Sequence, residues 1–491
     1  MHDSTSLTQS EATIGRYGRT MVITSVATFM ISLDQLVVTT ALTRIRESLH
    51  TGIQGLEWTV NAYTLTFAVL LLTASALADR FGRRRFFVIG MALFTGASAL
   101  AAVSQGIGVL IAARAIQGVG AAIVLPLTLT MLSAAVPPKN RGAALGVWGA
   151  VGGLAVALGP VVGGFITESA SWQWIFWLNV PIGTGLLLLS RTWLAESHGP
   201  QTRLDLVGTL LASVGLFGLV LAIIRGESAG WTSAQTLGSG LGGLALLAAF
   251  VAWERRTPNP MLPLRLFSGR AFTAVNLLSL FMFFGMFGSI FLITQYLQTA
   301  LGYSPFAAGL RFLAWTGVVL IAAPLGGGLS DRIGGKPIIV AGLALQSVGL
   351  LWLTLAITTS SSFGSLVPAF ICNGFGMGLY FGPAGNVVMG SVRREEEGIA
   401  SGANNAIREL GGVLGVAVLA AVFTARGGYD TPAHYVHGLH AALWIGFAVV
   451  ALGAVTAALM PGRRPQPAVG AEGGPAPVAT VAAERSLSLS E

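Results

Sequence analysis

Charged side chains inside long apolar segments are the residues of this sequence whose types and positions could do chemistry. Asp34, Arg114 and the adjacent pair Arg408 and Glu409 all lie within such segments. A charge at the centre of a bilayer costs about 2.5–3.5 kcal/mol on insertion scales, so such a residue is by default part of a functional site. Asp34 can alternate between a protonated and an ionised carboxyl, which would allow it to carry a proton. A purely structural, hydrogen-bonding acid is the alternative.

Arg114 cannot itself carry the proton, because an arginine side chain is not deprotonated in proteins. Its predicted role is to hold a nearby carboxylate ionised, and Gln117, one helical turn further on, is predicted to share the hydrogen bonding. A salt bridge that only packs helices is the alternative for Arg114. Arg408 and Glu409 point about 100° apart on a helix, so that one can face a cavity while the other pairs elsewhere.

Fourteen apolar runs must position these residues, each of roughly 18–25 residues, the length that crosses a bilayer core. Runs 1 to 14 cover approximately residues 20–42, 57–78, 86–104, 107–135, 141–165, 174–194, 206–224, 235–253, 272–297, 306–329, 337–357, 364–390, 398–424 and 439–460. Hydrophobic residues are 53% of the 491 residues and charged residues only 10%, against about 25% in soluble proteins. The sequence therefore predicts an all-α integral membrane protein, with polar, disordered ends at residues 1–18 and 462–491.

Lysine and arginine residues are distributed unevenly between the two sides of the predicted bundle. Of the 28, 21 lie in loops on the same side as both termini, four lie in loops on the other side and three lie within the runs. Basic loops stay in the cytoplasm, so both termini are predicted to be cytoplasmic. The same loops explain the net charge of +8 without a nucleic-acid partner.

Two stretches of sequence recur along the chain at nearly the same offset. Residues 75–85 recur 252 residues later as residues 327–336, each with an Asp-Arg pair followed by a glycine turn. Residues 117–120, Gln-Gly-Val-Gly, recur 256 residues later as Asn-Gly-Phe-Gly at 373–376. We therefore predict two six-span halves, residues 19–200 and 271–461, with two inserted spans and a cytoplasmic linker at 201–270. A substrate path is expected where such halves meet near the bilayer midplane.

Run 5 carries the small residues that let helices approach closely. Gly159 and Gly163 form a small-xxx-small pair. Pro160 removes a backbone hydrogen bond and is predicted to bend the run. Together with Gly164, this pattern predicts a bendable contact that closes one side of the path while the other side opens. Ordinary membrane packing is the alternative.

The order and spacing of these motifs resemble the major facilitator superfamily, and within it the fourteen-span drug:proton antiporters. Residues 75–85 resemble the superfamily motif Gly-x-Leu-x-Asp-Arg-x-Gly-Arg-Arg, with Ser75 in place of the first glycine. Residues 114–122 resemble Arg-x-x-Gln-Gly-x-Gly-x-Ala, and residues 159–164 resemble the antiporter motif Gly-Pro-x-x-Gly-Gly. Residues 172–181 resemble the segment Trp-Arg-Trp-Ile-Phe…Asn-x-Pro, with Gln173 in place of arginine.

The resemblance implies a major facilitator fold with two six-helix bundles and two inserted helices, and it extends the set of predicted site residues. Those predicted to act in proton coupling or transport are Asp34, Arg114, Gln117, Arg408 and Glu409. Those predicted to gate the path are Asp79, Arg80, Gly82, Arg83, Asp331 and Arg332, and the antiporter motif is Gly159, Pro160, Gly163 and Gly164. Candidates to line an apolar, aromatic cavity are Phe281, Phe283, Phe284, Phe287, Phe291, Tyr296 and Asn404. Contact with lipid is the alternative for half of these aromatic residues.

The expected function is proton-driven export of small hydrophobic or cationic drugs or antibiotics across the inner, cytoplasmic membrane by a monomeric protein. The Gly-Lys-Ser/Thr loop that binds nucleotide phosphates does not occur in the sequence, so the proton-motive force is expected to be the energy source. No metal site, cofactor or enzymatic activity is expected. An exporter of one cell metabolite, or an importer, is the alternative within transport, and a membrane sensor built on a transporter fold is the alternative outside it.

Overall fold

The computed structural model describes residues 3–137, 141–198, 205–393 and 396–459, and over those residues its regular secondary structure is entirely helical. The α-helices are α1 (Asp3–Ser48), α2 (Ile53–Phe81), α3 (Arg83–Ala102), α4 (Ile107–Ala135), α5 (Arg141–Ser169), α6 (Trp174–Trp177), α7 (Asn179–Trp193), α8 (Leu206–Ala229), α9 (Ala234–Glu254), α10 (Arg270–Thr299), α11 (Pro305–Ile333), α12 (Gly335–Ala356), α13 (Phe363–Gly390), α14 (Glu397–Arg426) and α15 (Pro432–Leu459), with a 3-10 helix at Leu264–Ser268.

The membrane-spanning capacity of these helices follows from their length and hydropathy. In the described part of the chain, 12 helices are long and apolar enough to cross a membrane, or 13 if the two parts of the bent α2 count as one span. Run 6 is divided between α6 and α7, and α7 alone has only 15 residues. The structure confirms an all-helical membrane protein, while the count of fourteen spans stays a prediction.

The first helix is longer than the sequence predicts. It begins at Asp3, so residues 3–18, which were expected to be disordered, continue the first run as helix. This stretch contains no proline to stop a helix. The expected disorder at residues 462–491 lies outside the described residues.

Two glycine turns join neighbouring helices at equivalent places in the two halves. Gly82 separates α2 from α3 with φ +111°, and Gly334 separates α11 from α12 with φ +89°. Residues other than glycine rarely adopt this backbone region, so these turns require glycine. Because the two turns are 252 residues apart, they place the repeated loops at the same position of each half.

The repeated glycines of α4 and α13 make equivalent helix contacts. Gly118 packs against the Tyr63 carbonyl of α2, and Gly374 packs in the same way against the Trp315 carbonyl of α11. A Cβ added at Gly120 would lie 2.7 Å from a backbone oxygen of α3, and one added at Gly376 would lie 2.5 Å from a backbone oxygen of α12. Close backbone contact at small residues is the usual way that membrane helices associate. The internal repeat of the sequence is therefore also a repeat of the packing.

Helices α8 and α9 form a separate hairpin at the side of the bundle. They pack mainly on each other, and α8 also contacts α2 and α14. The two helices of the hairpin approach each other closely at glycine residues, since a Cβ added at Gly243 would lie 2.7 Å from the Gly215 carbonyl oxygen. Leu206, Leu210 and Leu241 on these two helices are each 64% exposed, as expected for side chains that face lipid. The hairpin thus lies outside the two repeated helix sets.

Candidate functional site: a buried ion pair

Asp34 of α1 and Arg114 of α4 form a buried ion pair. Arg114 Nη1 donates to Asp34 Oδ2 over 2.5 Å, and each side chain is only 1% exposed. Arg114 Nε donates to the Thr59 carbonyl oxygen of α2 over 3.1 Å. The guanidinium also lies 4.3 Å from the centre of the Tyr63 ring. Asp34 and Arg114, the first two residues that the sequence singles out, are 80 positions apart in the chain, and the structure brings them together.

The second Asp34 oxygen is also hydrogen-bonded. Asn179 Nδ2, at the start of α7, donates to Asp34 Oδ1 over 2.7 Å. Gln117 Nε2 donates to the same oxygen over 3.4 Å and to Ser98 Oγ over 2.7 Å. Gln117 Oε1 accepts from Arg114 Nη1 over 3.0 Å, so the predicted sharing of hydrogen bonds by Gln117 is present. A buried carboxylate needs such partners, because an unpaired charge in the interior is strongly unfavourable.

Sequence reasoning missed the roles of Asn179 and Ser98 in this network. Asn179 appeared only as one letter of the aromatic motif at residues 172–181, and Ser98 was not considered. Neutral polar side chains cost little in an apolar run, so they give a weaker signal than a charge does. The available signal was the position of this amide, directly after the apolar and aromatic residues 174–178.

Arg408 and Glu409 lie on α14, in the other half of the repeat. Glu409 Oε2 accepts a hydrogen bond from Gln35 Nε2 of α1 over 3.1 Å, which links the two halves. The Arg408 guanidinium lies 4.3 Å from the ring centre of Phe283 and 4.9 Å from that of Phe381. Both charged side chains are half-buried. The two residues diverge as their positions on a helix predict, Glu409 toward α1 and Arg408 between two aromatic rings.

The antiporter motif packs against both α1 and α11. Cβ atoms added at Gly159 would lie 2.7 Å from Leu36 Cβ, and those added at Gly163 would lie 2.6 Å from the Val37 carbonyl oxygen. Gly164 lies against the Pro305 carbonyl at the start of α11. The Pro160 carbonyl in turn lies against Gly309 of α11. Gly159 and Gly163 therefore pack on α1 within the first half, while Pro160 and Gly164 contact α11 of the second half.

The two halves meet at one end of the bundle and separate at the other. We call the end that holds the α1–α2, α5–α6, α10–α11 and α14–α15 connections the closed end, and the end that holds the α2–α3 and α11–α12 turns the basic end. At the closed end Gln298 Nε2 donates to the Thr40 carbonyl oxygen over 3.0 Å, and Phe306 N donates to Glu168 Oε2 over 3.0 Å. Toward the basic end, Cβ atoms added at Gly146 of α5 or Gly327 of α11 would have no neighbouring atom within 4 Å. A cleft between α5 and α11 thus opens at the basic end.

Side chains of the predicted gating loop contact other residues of the first half. Arg83 Nε donates to Asp79 Oδ1 over 2.7 Å. Arg84 N donates to Glu196 Oε1 over 2.9 Å, and a Cβ added at Gly82 would lie 2.9 Å from the Glu196 carboxyl. Arg80 lies 5.2 Å from the ring centre of Phe81. Glu196, just after α7, was missed because a single acid in a polar segment carries no sequence signal.

The second copy of this loop joins α11 to α12. Arg332 is exposed in the last turn of α11, and the Asp331 side chain lies outside the described part of the structure. Gly334 has open space where Gly82 has Glu196, since an added Cβ there would meet nothing within 4 Å. The two copies share their turn geometry but differ in what packs on it.

The predicted cavity residues divide into two groups. Phe283, Phe284, Phe287 and Phe291 of α10 are buried within the protein, and Phe287 packs against Gly412 of α14. Tyr296 is fully buried, and its hydroxyl donates to the Thr358 carbonyl oxygen over 2.6 Å. Tyr296 therefore anchors α10 to the segment after α12 in this conformation, and its part in lining a cavity stays a prediction.

Asn404 is likewise occupied inside its own half. Its Nδ2 donates to Asn276 Oδ1 and to Ser279 Oγ, each over 3.0 Å, and these groups join α14 to α10. Ser279 Oγ also lies 2.8 Å from the Tyr380 hydroxyl of α13. The amide of Asn404 thus belongs to a buried polar network between helices of the second half.

Two repeated sets of apolar helices with an ion pair buried between α1 and α4 are the architecture of a polytopic membrane protein. The family model of the Major Facilitator Superfamily matches residues 24–416 and again residues 275–489. The chain belongs to this superfamily of transporters, and it is not an enzyme.

The chain is similar to bacterial proteins of this family that are named for drug resistance. It is 39% identical over 408 residues to the multidrug resistance protein Stp of Mycobacterium tuberculosis (strain CDC 1551 / Oshkosh), covering 83% of this chain and 76% of that protein. It is 31% identical over 416 residues to the tetracenomycin C resistance and export protein of Streptomyces glaucescens, covering 84% and 77%. A crystal structure of a POT family transporter in complex with 5-aminolevulinic acid superposes with a TM-score of 0.67 at 13% identity, covering 90% and 96%, which shows the shared fold.

Proposed function

We propose that this protein is a proton-coupled antiporter that exports hydrophobic drugs or antibiotics across the cytoplasmic membrane by alternating access. The observation that carries the proposal is the buried Asp34 carboxylate, which is bound by Arg114 and Asn179. A carboxylate at this depth has two stable states, ionised in its ion pair or neutral after it gains a proton. The chain works as a monomer in this proposal, with the proton-motive force as its energy source.

The orientation follows the arginines. The basic end faces the cytoplasm, α2 and the α6–α7 pair each cross the membrane once, and the fourteen spans leave both termini on the cytoplasmic side. The described conformation is then the state that is open to the cytoplasm. A substrate enters between α5 and α11 and meets the rings of Phe283 and Phe381 and the Glu409 carboxyl, a site that suits an apolar or cationic molecule.

The exchange cycle uses the carboxyl groups of Asp34 and Glu409 and the bendable contact between α5 and α11. A proton from outside neutralises Asp34, which releases Arg114 from its ion pair and favours the cytoplasm-facing state. Loss of that proton inside restores the pair, and substrate binding disturbs the Gln35–Glu409 link between the halves. Each proton that moves inward across a membrane potential of 100 mV supplies about 2.3 kcal/mol, which drives the return of the protein to the outward-facing state.

Export as the direction, and drugs as the substrates, are supported by the printed names of the relatives, a multidrug resistance protein and a resistance and export protein for tetracenomycin C. The test is a susceptibility screen in cells that express the wild type, Asp34→Asn or Glu47→Gln. Glu47 is the matched control, because it is an exposed acid on the same helix, paired with Arg44 over 3.3 Å.

The wild type and Glu47→Gln are expected to raise the inhibitory concentration of at least one class of hydrophobic compound, and Asp34→Asn is expected to lose that protection. A broad panel in which the wild type protects against nothing would contradict drug export. Full protection by Asp34→Asn, at equal amounts of protein in the membrane, would remove Asp34 from the mechanism.

A further inference from the structure

Glu57 and Asn61 of α2 are buried polar residues that the ion-pair network does not use. Glu57 is 2% exposed and Asn61 is 0% exposed. Within the described part of the chain, Glu57 Oε2 and both amide atoms of Asn61 have no hydrogen-bond partner. Buried polar groups are normally bonded, so unpaired ones in a native structure call for a functional explanation.

The two residues lie where α2 faces the second half, near the closed end. They are one turn apart, and the same stripe continues to Leu65 and Val69, which pack with Val413 of α14. Glu57 is in the second turn of α2, whose first residue, Ile53, lies at the closed end. When the closed end opens, water would therefore reach Glu57 before it reached the Asp34–Arg114 ion pair, which lies deeper in the protein.

Tyr429, between α14 and α15, is the residue of the second half that lies near Glu57. The Arg46 guanidinium of α1 lies 4.0 Å from the centre of the Tyr429 ring. The Tyr429 hydroxyl donates to Gln295 Oε1 over 2.5 Å. Burial raises the pKa of Tyr429, the Arg46 guanidinium lowers it and the nearby Glu57 carboxyl raises it. Arg46, Glu57 and Tyr429 thus form one cluster across the contact between the halves.

The charged and titratable groups around Glu57 leave it without an ion-pair partner. They are Tyr429 in the α14–α15 connection, with Arg46 of α1 on one side of its ring and Tyr435 of α15 5.3 Å away between ring centres. Arg114 binds the Thr59 carbonyl, two positions and about 200° round α2 from Glu57, and it is already paired with Asp34. Among the described residues, no cation lies within ion-pair distance of the Glu57 carboxyl.

We propose that Glu57 is a second proton-binding site, which takes a proton from water when the closed end is open and must keep it for that end to close. The inference rests on the proposed proton-coupled cycle and adds to it a proton requirement at the gate itself. The step is a simple proton transfer from hydronium to the carboxylate, which leaves a neutral carboxyl group and water. A neutral carboxyl tolerates burial at this position, whereas a buried carboxylate without a partner does not. Asn61 supplies a donor and an acceptor one turn further in.

The sign of the pH dependence follows from this scheme. At low pH Glu57 is protonated and the closed end stays closed. As the pH rises, the carboxylate forms, its burial becomes unfavourable and the halves separate at this end. Glu57→Gln keeps the side chain neutral at every pH, so this variant is expected to stay closed at high pH.

Distance measurements between two spin labels test this without any substrate. Labels are attached at Ser171→Cys after α5 and Ala433→Cys at the start of α15, both exposed sites at the closed end in different halves, after the single native cysteine is replaced by Cys372→Ala. The wild-type background and the control Glu47→Gln are expected to shift to longer distances as the pH rises. Glu57→Gln is expected to lose that shift, and Glu57→Asp, which can still titrate, is expected to retain it.

A pH-dependent shift that persists in Glu57→Gln would overturn the inference, and so would a wild type whose distances do not change with pH. If Glu57→Gln does not yield folded protein, loss of the shift by Glu57→Asp at high pH would count against the inference. These outcomes are independent of the proposed function, because a failure of proton-coupled export appears in the transport assay and leaves the label distances unchanged.

Discussion

Asp34 shows what a single residue can reveal in a membrane sequence. Its charge made it conspicuous in an apolar run, and the same reasoning found Arg114, which is bonded to it. The rest of the network, Asn179 and Ser98, is uncharged and was not predicted. The contact of Tyr296 with the segment after α12 is not predictable either, because aromatic composition does not tell whether a ring faces a cavity or another helix. Charge therefore predicts where chemistry occurs, and packing decides which neutral groups take part.

Arg114→Ala is expected to destabilise the protein strongly at the residue scale. The change leaves the Asp34 carboxylate buried without its cation, and breaking one partner of a buried pair costs about 3–5 kcal/mol. Thermal unfolding of the purified protein in detergent measures this loss. Arg311→Ala is the control, because Arg311 is half-buried and stacks 3.8 Å from the ring centre of Tyr303, so that a smaller loss is expected. Equal unfolding temperatures for Arg114→Ala and the wild type would contradict the energetic importance of the pair.

Helix α5 shows how elements convert small residues into a movable contact. The spacing of Gly159, Pro160, Gly163 and Gly164 predicted a close approach, and the structure places these residues against α1 and α11. Which helices they would meet was not predictable from spacing, because partners are set by the tertiary arrangement. Helix boundaries within runs were also uncertain, as the division of run 6 into α6 and α7 and the early start of α1 show.

Gly164→Val is expected to prevent the closed end from closing. Any Cβ at this position would lie 2.9 Å from Phe306 Cα and against the Pro305 carbonyl, both parts of the α11 backbone that cannot move aside locally. Export is expected to fall severely while the protein still reaches the membrane. Gly146→Val in the same helix has open space within 4 Å and is expected to transport normally. Vesicle transport assays at matched expression compare the two variants, and equal transport by both would refute the proposed role of the contact.

The whole molecule repeats one helical plan twice, and the sequence contained enough information to predict this. The loops at residues 75–85 and 327–336 and the glycine motifs 256 residues apart defined equivalent halves, and the packing of Gly118 and Gly374 is equivalent as well. The side on which the halves touch could not be predicted, since helical runs carry no information on relative tilt. That information comes from the contacts at Gln298 and Phe306 and from the open space around Gly146.

In the proposed cycle, Asp34 couples the export of substrate to the entry of protons. The most direct measurement uses inverted membrane vesicles that carry a pH gradient, with the internal pH followed while a substrate from the susceptibility screen is added. The wild type and Glu47→Gln are predicted to dissipate the gradient in a substrate-dependent manner, and Asp34→Asn, present in the membrane at the same level, is predicted not to respond. Substrate transport that continues at its full rate after the gradient has been collapsed, or an Asp34→Asn protein that still exchanges protons for substrate, would contradict the account.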